Sequence, residues 1–175
     1  MVYKITDCFL EHPYRYSLTV RTDCNSERSL IVIQCNPSVA CENKSDPTVG
    51  KVSIWAEESG FSEVVFLNLF SYISAQTTDL VGKSYEDLVG PKNDEILARH
   101  IKNGGLVVLA WGGDVPVPDS SYLRRLTEIK QLLDHAEITP NHVGTLSYGK
   151  YPRHGRMWNK GNRKLSVLDW GAIIA

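Results

Sequence analysis

The sequence lacks the features that mark zinc-binding, membrane-spanning or secreted proteins. Its four cysteines include no Cys-x-x-Cys pair, and none of its five histidines stands at zinc-finger spacing from a cysteine, so no metal site is assigned. No apolar run approaches the length of a membrane span, and the first residues lack the apolar core of a signal peptide. We therefore expect a cytoplasmic protein with reduced thiols and no membrane partner.

A strong net charge is also missing. The 175 residues carry a net charge of −1, so any anion-binding surface has to be local. Glycine-rich dinucleotide and P-loop motifs and the Gly-x-Ser-x-Gly elbow are absent, and no cofactor is assigned. Asp46, Asp94 and Asp114 lie near predicted loops, which leaves metal-dependent chemistry open, but their spacing is not diagnostic. Length and composition are those of one globular domain spanning residues 1–175.

The rest of the chain is organised around the segment Ser29–Ala40. Its apolar run, Leu30–Ile33, is rich in β-branched residues and predicts a strand buried on both faces. Pro37 lacks an N–H and ends the strand, so short polar side chains follow in a fixed turn. Ligands of open α/β sheets bind at this edge, whereas the simpler interpretation is a turn without chemistry.

Strand and helix patterns alternate along the sequence. Strands are predicted at Tyr14–Arg21, Ser29–Cys35, Glu63–Phe70, Leu106–Ala110 and His142–Ser147. Helices are predicted at Val49–Ser59, at Lys92–Lys102, from Asp119 or Ser120 to about His135, and as a short turn near Thr78–Gly82, with a final strand or short helix in Leu165–Ile174. This alternation predicts an α/β three-layer sandwich with a central, mostly parallel sheet.

Polar clusters follow several of the predicted strands. In a parallel sheet the first three would lie on one edge. Several such clusters that converge on the same edge would form a pocket with amides, a hydroxyl, aromatic faces and an imidazole. These clusters are Asn36-Pro37-Ser38, Asn68-Leu69-Phe70, Trp111-Gly112-Gly113-Asp114 and Tyr151-Pro152-Arg153-His154.

Asn68 stands out because it lies within an apolar strand, where an amide needs hydrogen-bond partners. Its carboxamide could read the edge of a planar ligand, or it could clamp a neighbouring loop. Phe70 and Trp111 could stack on a base, although aromatic residues at strand ends usually belong to the core. Cys35 could be a nucleophile, and a buried core thiol is the more ordinary interpretation.

The loop after the fourth polar cluster carries the clearest charge signal. Six cations and no acidic residue occur between Ser147 and Leu168, so the rest of the chain has a charge of about −7. Interleaved Tyr151 and Trp158 are typical of surfaces that bind phosphates and stack bases, while a solvated basic loop is the alternative. His154 is the best acid or electrostatic candidate among the histidines.

At these residues the sequence resembles a family of bacterial and viral proteins catalogued only as a domain of unknown function. The resemblance spans about residues 14 to 155, and it departs at Val39 and Gly155, where the family usually has Thr and Pro. Its motifs here are Tyr14-Arg15-Tyr16, Asn36-Pro37-Ser38-Val39-Ala40, Asp46-Pro47-Thr48, Asn68-Leu69-Phe70, Gly90-Pro91-Lys92-Asn93-Asp94, Ala110-Trp111-Gly112 and Pro152-Arg153-His154.

More distantly, the sequence resembles the uracil-DNA glycosylase superfamily, which implies a glycosylase-like α/β fold. In that resemblance Asn36-Pro37 looks like the water-positioning motif, Asn68 like the base-reading Asn, Trp111-Gly112 like the structural Trp-Gly, and His154 like the histidine that stabilises the departing base. The late motif differs, because His154-Gly155-Arg156 stands in place of His-Pro-Ser and only Met157 offers an apolar wedge.

These observations lead to two main hypotheses about a nucleobase-containing ligand. In the first, the protein hydrolyses or transfers an N-glycosidic bond of a nucleotide or nucleic acid, and Asn36 and His154 are the catalytic residues. In the second, the same pocket binds a signalling nucleotide without chemistry, since Asn36 cannot act as a general base. A third hypothesis, binding of single-stranded or flipped-out nucleic acid without chemistry, depends on the basic loop of residues 150–164 alone. The ligand-contacting residues would be Pro37, Ser38, Asn68, Phe70, Trp111 and Gly112 for the base, and Arg153, Arg156 and Lys160 for phosphates.

Overall fold

Strands and helices alternate in the computed structural model, which describes residues 3–38, 46–74, 77–113 and 117–174. The strands within these residues are β1 (Tyr3–Glu11), β2 (Tyr14–Thr22), β3 (Ser29–Gln34), β4 (Glu63–Asn68), β5 (Leu106–Leu109), β6 (Asn141–Val143) and β7 (Leu165–Val167). The helices in the same ranges are α1 (Pro47–Glu58), α2 (Tyr85–Val89), α3 (Asn93–Lys102), α4 (Asp119–His135) and α5 (Gly171–Ile174), with 3₁₀ turns at Thr77–Leu80 and Gly155–Met157.

One mixed sheet contains all seven of these described strands, in the order β1-β2-β4-β3-β5-β6-β7. The pairs β4–β3, β3–β5 and β5–β6 are parallel, whereas β1–β2, β2–β4 and β6–β7 are antiparallel. The expectation of a mostly parallel sheet is therefore correct only for its centre. The two residues between β1 and β2 are too few for a parallel crossover and allow only an antiparallel hairpin.

Alternating side chains of the central strands supply two separate hydrophobic clusters. Ile31 and Ile33 of β3 pack with the buried faces of α3 and α4. Leu30 and Val32 of the same strand pack with α1 and Trp158. Helices therefore cover both faces of the sheet, which gives an α/β arrangement in three layers.

The sequence signals that start α1 operate as expected. The carboxylate of Asp46 caps the helix by accepting a hydrogen bond from the Val49 backbone nitrogen at 2.8 Å, and Pro47 occupies the first turn. Val52 and Trp55 face the sheet and are buried. The first turn of α1 lies close to the edge where β3 ends, because Thr48 and Gln34 both approach Gly155.

Two other regions differ from the sequence-based expectations. The strand predicted at His142–Ser147 is only β6, because Gly144 adopts a φ of +74° and turns the chain away. The final apolar segment is neither one strand nor one helix, since it divides into β7 and α5. No helix in the described ranges is long and apolar enough to cross a membrane.

Candidate functional site

The carboxyl ends of β4, β3 and β5 meet at one edge of the sheet because these strands are parallel neighbours. The fourth polar cluster joins them through a hydrogen bond of 2.8 Å from the Gly112 nitrogen to the Pro152 oxygen. A Cβ atom built at Gly112 would lie 3.4 Å from Cβ of His154. The fold thus brings together the four clusters, apart from Asp114, which lies outside the described residues.

The amide of Asn68 is the most unusual group at this edge. Asn68 is 0% exposed, and neither Oδ1 nor Nδ2 has a hydrogen-bond partner within the part of the chain that the structure describes. Gln34 is its register partner on β3, and its Nε2 is likewise buried without a partner among the described groups. Leaving a buried polar group unpaired costs about 1–3 kcal/mol, so a pair of such amides requires an explanation.

The backbone of Asn68, in contrast, is held firmly from the opposite face of the sheet. Nδ2 of Asn93, at the start of α3, donates to the carbonyl oxygens of Asn68 at 3.1 Å and Leu69 at 3.0 Å. Nε of the buried Arg125 donates to the same Leu69 oxygen at 2.6 Å. These bonds fix the backbone at the end of β4, from which the Asn68 side chain projects.

His154 is neutral and presents one defined hydrogen-bond donor. Its Nδ1 accepts a hydrogen bond from the Arg156 backbone nitrogen at 3.1 Å, so the proton of the neutral ring resides on Nε2. Burial and then the Arg156 guanidinium lower the pKa of His154 from 6.5 to about 4, against an opposing effect of Asp46. At neutral pH the ring can therefore donate through Nε2–H without carrying a charge.

The loop that carries His154 packs on the start of α1. A Cβ atom at Gly155 would lie 2.7 Å from Cγ2 of Val52 and 3.3 Å from Nε2 of Gln34. The residue that follows His154 therefore lies against Gln34, which is the register partner of Asn68. Ser38 adds to the same region, since its hydroxyl donates to the carboxylate of Asp46.

Asn36 acts as a link between two loops in this structure. Its half-buried side chain donates from Nδ2 to the Pro37 oxygen at 3.2 Å and to the Ser74 oxygen at 3.4 Å. Pro37, which is buried, accepts a further bond at 3.0 Å from the Ser74 nitrogen. The rest of this loop, including Val39 and Ala40, lies outside the described residues.

A cavity of about 410 Å³ opens beside His154, within the size range of small-molecule sites. Its lining includes both glycines that follow β5 and three residues of the basic loop. The lining residues are Trp111, Gly112, Gly113, Ser147, Tyr148, His154, Arg156 and Met157.

The two aromatic residues predicted to stack on a base have different positions. Phe70 is completely buried in the core against the edge of Tyr85, so in this conformation it offers no face to a ligand. Trp111 packs against Trp170 and is also buried, although part of it lines the cavity.

The three predicted phosphate contacts also diverge. Arg156 is exposed at the cavity, and Lys160 is exposed on the following turn. Arg153 instead supports the loop from within, because its Nη1 donates to the Asn162 carbonyl oxygen at 3.1 Å. The basic side chain of Arg163 forms an ion pair with Glu58 of α1.

Two residues at this edge were not among the sequence-based candidates. Gln34 follows the apolar run of β3 just as Asn68 follows the apolar run of β4. This equivalent position in the two strands could have identified Gln34 as a candidate. Tyr148 is 77% exposed and has a φ of +54°, a left-handed conformation that bulky residues rarely adopt. Only the adjacent Gly149 marked it as part of a turn.

Neither metal binding nor thiol chemistry gains support from the described side chains. No group of three or more His, Cys, Asp or Glu in the described ranges is placed to hold a metal ion. Burial raises the pKa of the Cys35 thiol to about 12, so this residue stays protonated in the core.

The fold and site define an α/β protein with a buried polar site at the carboxyl edge of its parallel strands. Residues 15–155 match the family described as "Protein of unknown function (DUF1643)", and the chain belongs to this family. The resemblance to a domain of unknown function is thereby confirmed over nearly the span expected from the sequence. No curated protein and no solved structure matches the chain.

Proposed function

We propose that the protein binds a nucleobase-containing ligand at the carboxyl edge of β3, β4 and β5. The observation that carries this proposal is the Asn68 amide, which is buried, stands on a firmly held backbone and is unpaired among the described groups. A carboxamide both donates and accepts hydrogen bonds, and the edge of a nucleobase presents the complementary groups in one plane. The ligand would thus pair with the two amide atoms that have no hydrogen-bond partner among the described residues. The distant resemblance to the uracil-DNA glycosylase superfamily supports the same role for Asn68.

His154 supplies the chemistry that an N-glycosidic hydrolase needs. Cleavage of the bond between a base and its sugar leaves negative charge on the base, and a donor aimed at that charge stabilises the transition state. A neutral imidazole with its proton on Nε2 is such a donor, and it adds no positive charge beside the electron-poor sugar.

In this proposal the reaction is a hydrolysis. A water molecule attacks the anomeric carbon, a C–O bond forms, the C–N bond breaks, and its electron pair leaves with the base. The base then takes a proton from solvent, and the proton of the attacking water is released to solvent. Asn36 would orient this water through its carboxamide oxygen, because its nitrogen already donates to Pro37 and Ser74.

A binding protein without chemistry is the second candidate, and the contacts of Asn36 favour it. Its side chain links two loops, and an amide cannot take a proton from water. The same pocket would then sequester or sense a nucleotide.

Thermal stabilisation by a panel of ligands tests the proposal. The panel contains free bases, nucleosides, mono-, di- and cyclic nucleotides, and short single-stranded DNA, and each incubated ligand is identified afterwards by mass spectrometry. We expect at least one base-containing ligand to raise the melting temperature of the wild type but not of Asn68→Ala. Asn25→Ala, an exposed substitution, is the matched control and should respond like the wild type.

The state of the recovered ligand separates the two candidates. Free base that is produced by the wild type but not by His154→Ala supports the hydrolase, whereas intact ligand supports the binding protein. If no base-containing ligand stabilises the wild type, the proposal is wrong, and the edge amides are features of the fold alone.

A further inference from the structure

We infer that the ligand is a single strand of nucleic acid, and that the cavity beside His154 holds a second nucleotide next to the one whose base Asn68 reads. This inference rests on the proposed function and specifies its substrate. The observations behind it are the exposed Tyr148 ring, the position of the cavity relative to Asn68, and the exposed cations of the loop that lines the cavity.

Tyr148 is presented as a stacking surface. Its ring stands directly over the segment after β5, since a Cβ atom at Gly113 would lie only 2.5 Å from Cδ2 of Tyr148. The absence of a side chain at Gly113 is therefore what allows the ring to occupy this place. With 77% of the residue exposed, a face of the ring remains open to solvent. Stacking on such a ring is tolerant of base identity, because every base has a π-face.

The exposed cations of the loop that lines the cavity fit a phosphate backbone. Arg156 lines the cavity, and Lys160 and Lys164 are exposed farther along the same loop. In the described part of the chain, no carboxylate forms an ion pair with any of these three residues. Arg153 and Arg163, in contrast, are occupied by contacts within the protein.

The separation of the two parts of the site argues for more than one nucleotide. The side chains of Asn68 and Gln34 are buried on the sheet face that α1 covers, two positions after Phe66 and Val32, whereas Tyr148 and Arg156 lie at the open cavity. His154 and Gly155 stand between them, since Gly155 approaches Gln34 while His154 lines the cavity. A base that reaches the amides leaves the cavity available to its neighbour along a strand.

Fluorescence-anisotropy competition with mononucleotides and trinucleotides of each base, in deoxyribose and ribose forms, tests this inference. We expect trinucleotides to bind at least tenfold more tightly than the matching mononucleotides. Tyr148→Ala should weaken trinucleotide binding roughly fivefold to a hundredfold and leave mononucleotide binding unchanged, while Tyr148→Phe retains wild-type affinity. The two sugar series show whether the strand is DNA or RNA.

The salt dependence of trinucleotide binding gives a second readout. Arg156→Ala should reduce the slope of log affinity against log salt by about 0.7 for the lost phosphate contact. Lys102→Ala, which removes an exposed cation at the opposite edge of the sheet, should leave the slope unchanged.

Each other outcome overturns the inference in a recognisable way. If mononucleotides bind as tightly as trinucleotides, the inference is wrong but the proposed function stands. If Tyr148→Ala weakens both ligands equally, the ring belongs to the base site and no second subsite exists. If Tyr148→Phe is as weak as Tyr148→Ala, the hydroxyl makes the contact, no base stacks on the ring, and the inferred second subsite is wrong. If neither ligand binds, the proposed function itself fails.

Discussion

Replacement of Asn68 by leucine should stabilise the ligand-free protein, although the residue is completely buried. Leucine has a similar branched shape, and the substitution removes two polar atoms that have no hydrogen-bond partner among the described residues. Relief of unpaired buried groups is worth about 1–3 kcal/mol each, and part of it is lost to imperfect packing. We expect a net gain of about 1–3 kcal/mol in the free energy of unfolding.

The same substitution at Asn93 should have the opposite effect. Asn93 is equally buried, but its Nδ2 donates to the carbonyl oxygens of Asn68 and Leu69. Asn93→Leu breaks both bonds and leaves the backbone carbonyl oxygen of Asn68 without this partner. It also removes the Asn93 Oδ1 atom, which is unpaired among the described residues, and this offsets part of the cost. We expect the free energy of unfolding to decrease by about 1–3 kcal/mol. The two buried variants should therefore differ by at least about 2 kcal/mol.

Urea unfolding at constant pH measures both variants, and the midpoint is interpreted only where the slope is unchanged. Asn25→Leu serves as an exposed control, which should lie within about 0.5 kcal/mol of the wild type. A destabilisation of Asn68→Leu comparable to that of Asn93→Leu would refute the reasoning. It would mean that the Asn68 amide is paired in solution and belongs to the structural framework.

Three further predictions concern protonation, packing and thiol reactivity. The pKa of His154 is about 4 in the folded protein and 6.5 in the unfolded chain, so between these values the unfolded chain binds more protons and the free energy of unfolding should decrease as the pH is lowered. The decrease from pH 7 to pH 5, measured by urea unfolding, should be about 1–2 kcal/mol smaller in His154→Gln than in the wild type. Gly155→Ala should destabilise the protein by about 1–3 kcal/mol in the same assay, because its Cβ would clash with Val52, and an unchanged stability would contradict the packing of this loop on α1. Cys35 should resist iodoacetamide at pH 7.5 in the native protein and react once urea unfolds it, as read by peptide mass spectrometry; rapid native labelling would disprove its burial.

The sequence was sufficient to predict the centre of the fold. The β-branched run of Leu30–Ile33 and the similar runs at Glu63–Phe70 and Leu106–Ala110 are buried on both faces, and such runs have few structural alternatives. The cap at Asp46 and the stop near Gly60 defined α1 to within two residues, because both signals are local.

The edges of the sheet were less predictable. β1 is half exposed along its length, so it has no continuous apolar run, and its pairing with β2 depends on contacts that a local pattern does not contain. Helix α2 is one short turn and depends on the Ser84 cap and on burial of Leu88. The mixed character of the sheet follows from the antiparallel pairs that β1, β2 and β7 form.

The site was predictable at the level of segments but not of side-chain directions. Parallel strands necessarily deliver their carboxyl ends to one edge, so the convergence of Asn36, Asn68 and Trp111 could be inferred from the sequence. Whether Phe70 points into the core or the cavity depends on how the chain turns after β4. Arg153 could not be distinguished from Arg156 as a phosphate contact, because its engagement by Asn162 is a property of the folded loop.

The contrast between Asn68 and its surroundings is the strongest argument for a function at this edge. The buried side chains of Asn93 and Arg125 donate hydrogen bonds to the backbone at the end of β4. Arg125 also forms ion pairs with Asp94 and Glu128. A fold that fixes a strand end so thoroughly could place an apolar side chain there and gain stability. Retaining at this position an amide without a hydrogen-bond partner among the described residues is what a binding site requires, since a ligand can supply those hydrogen bonds.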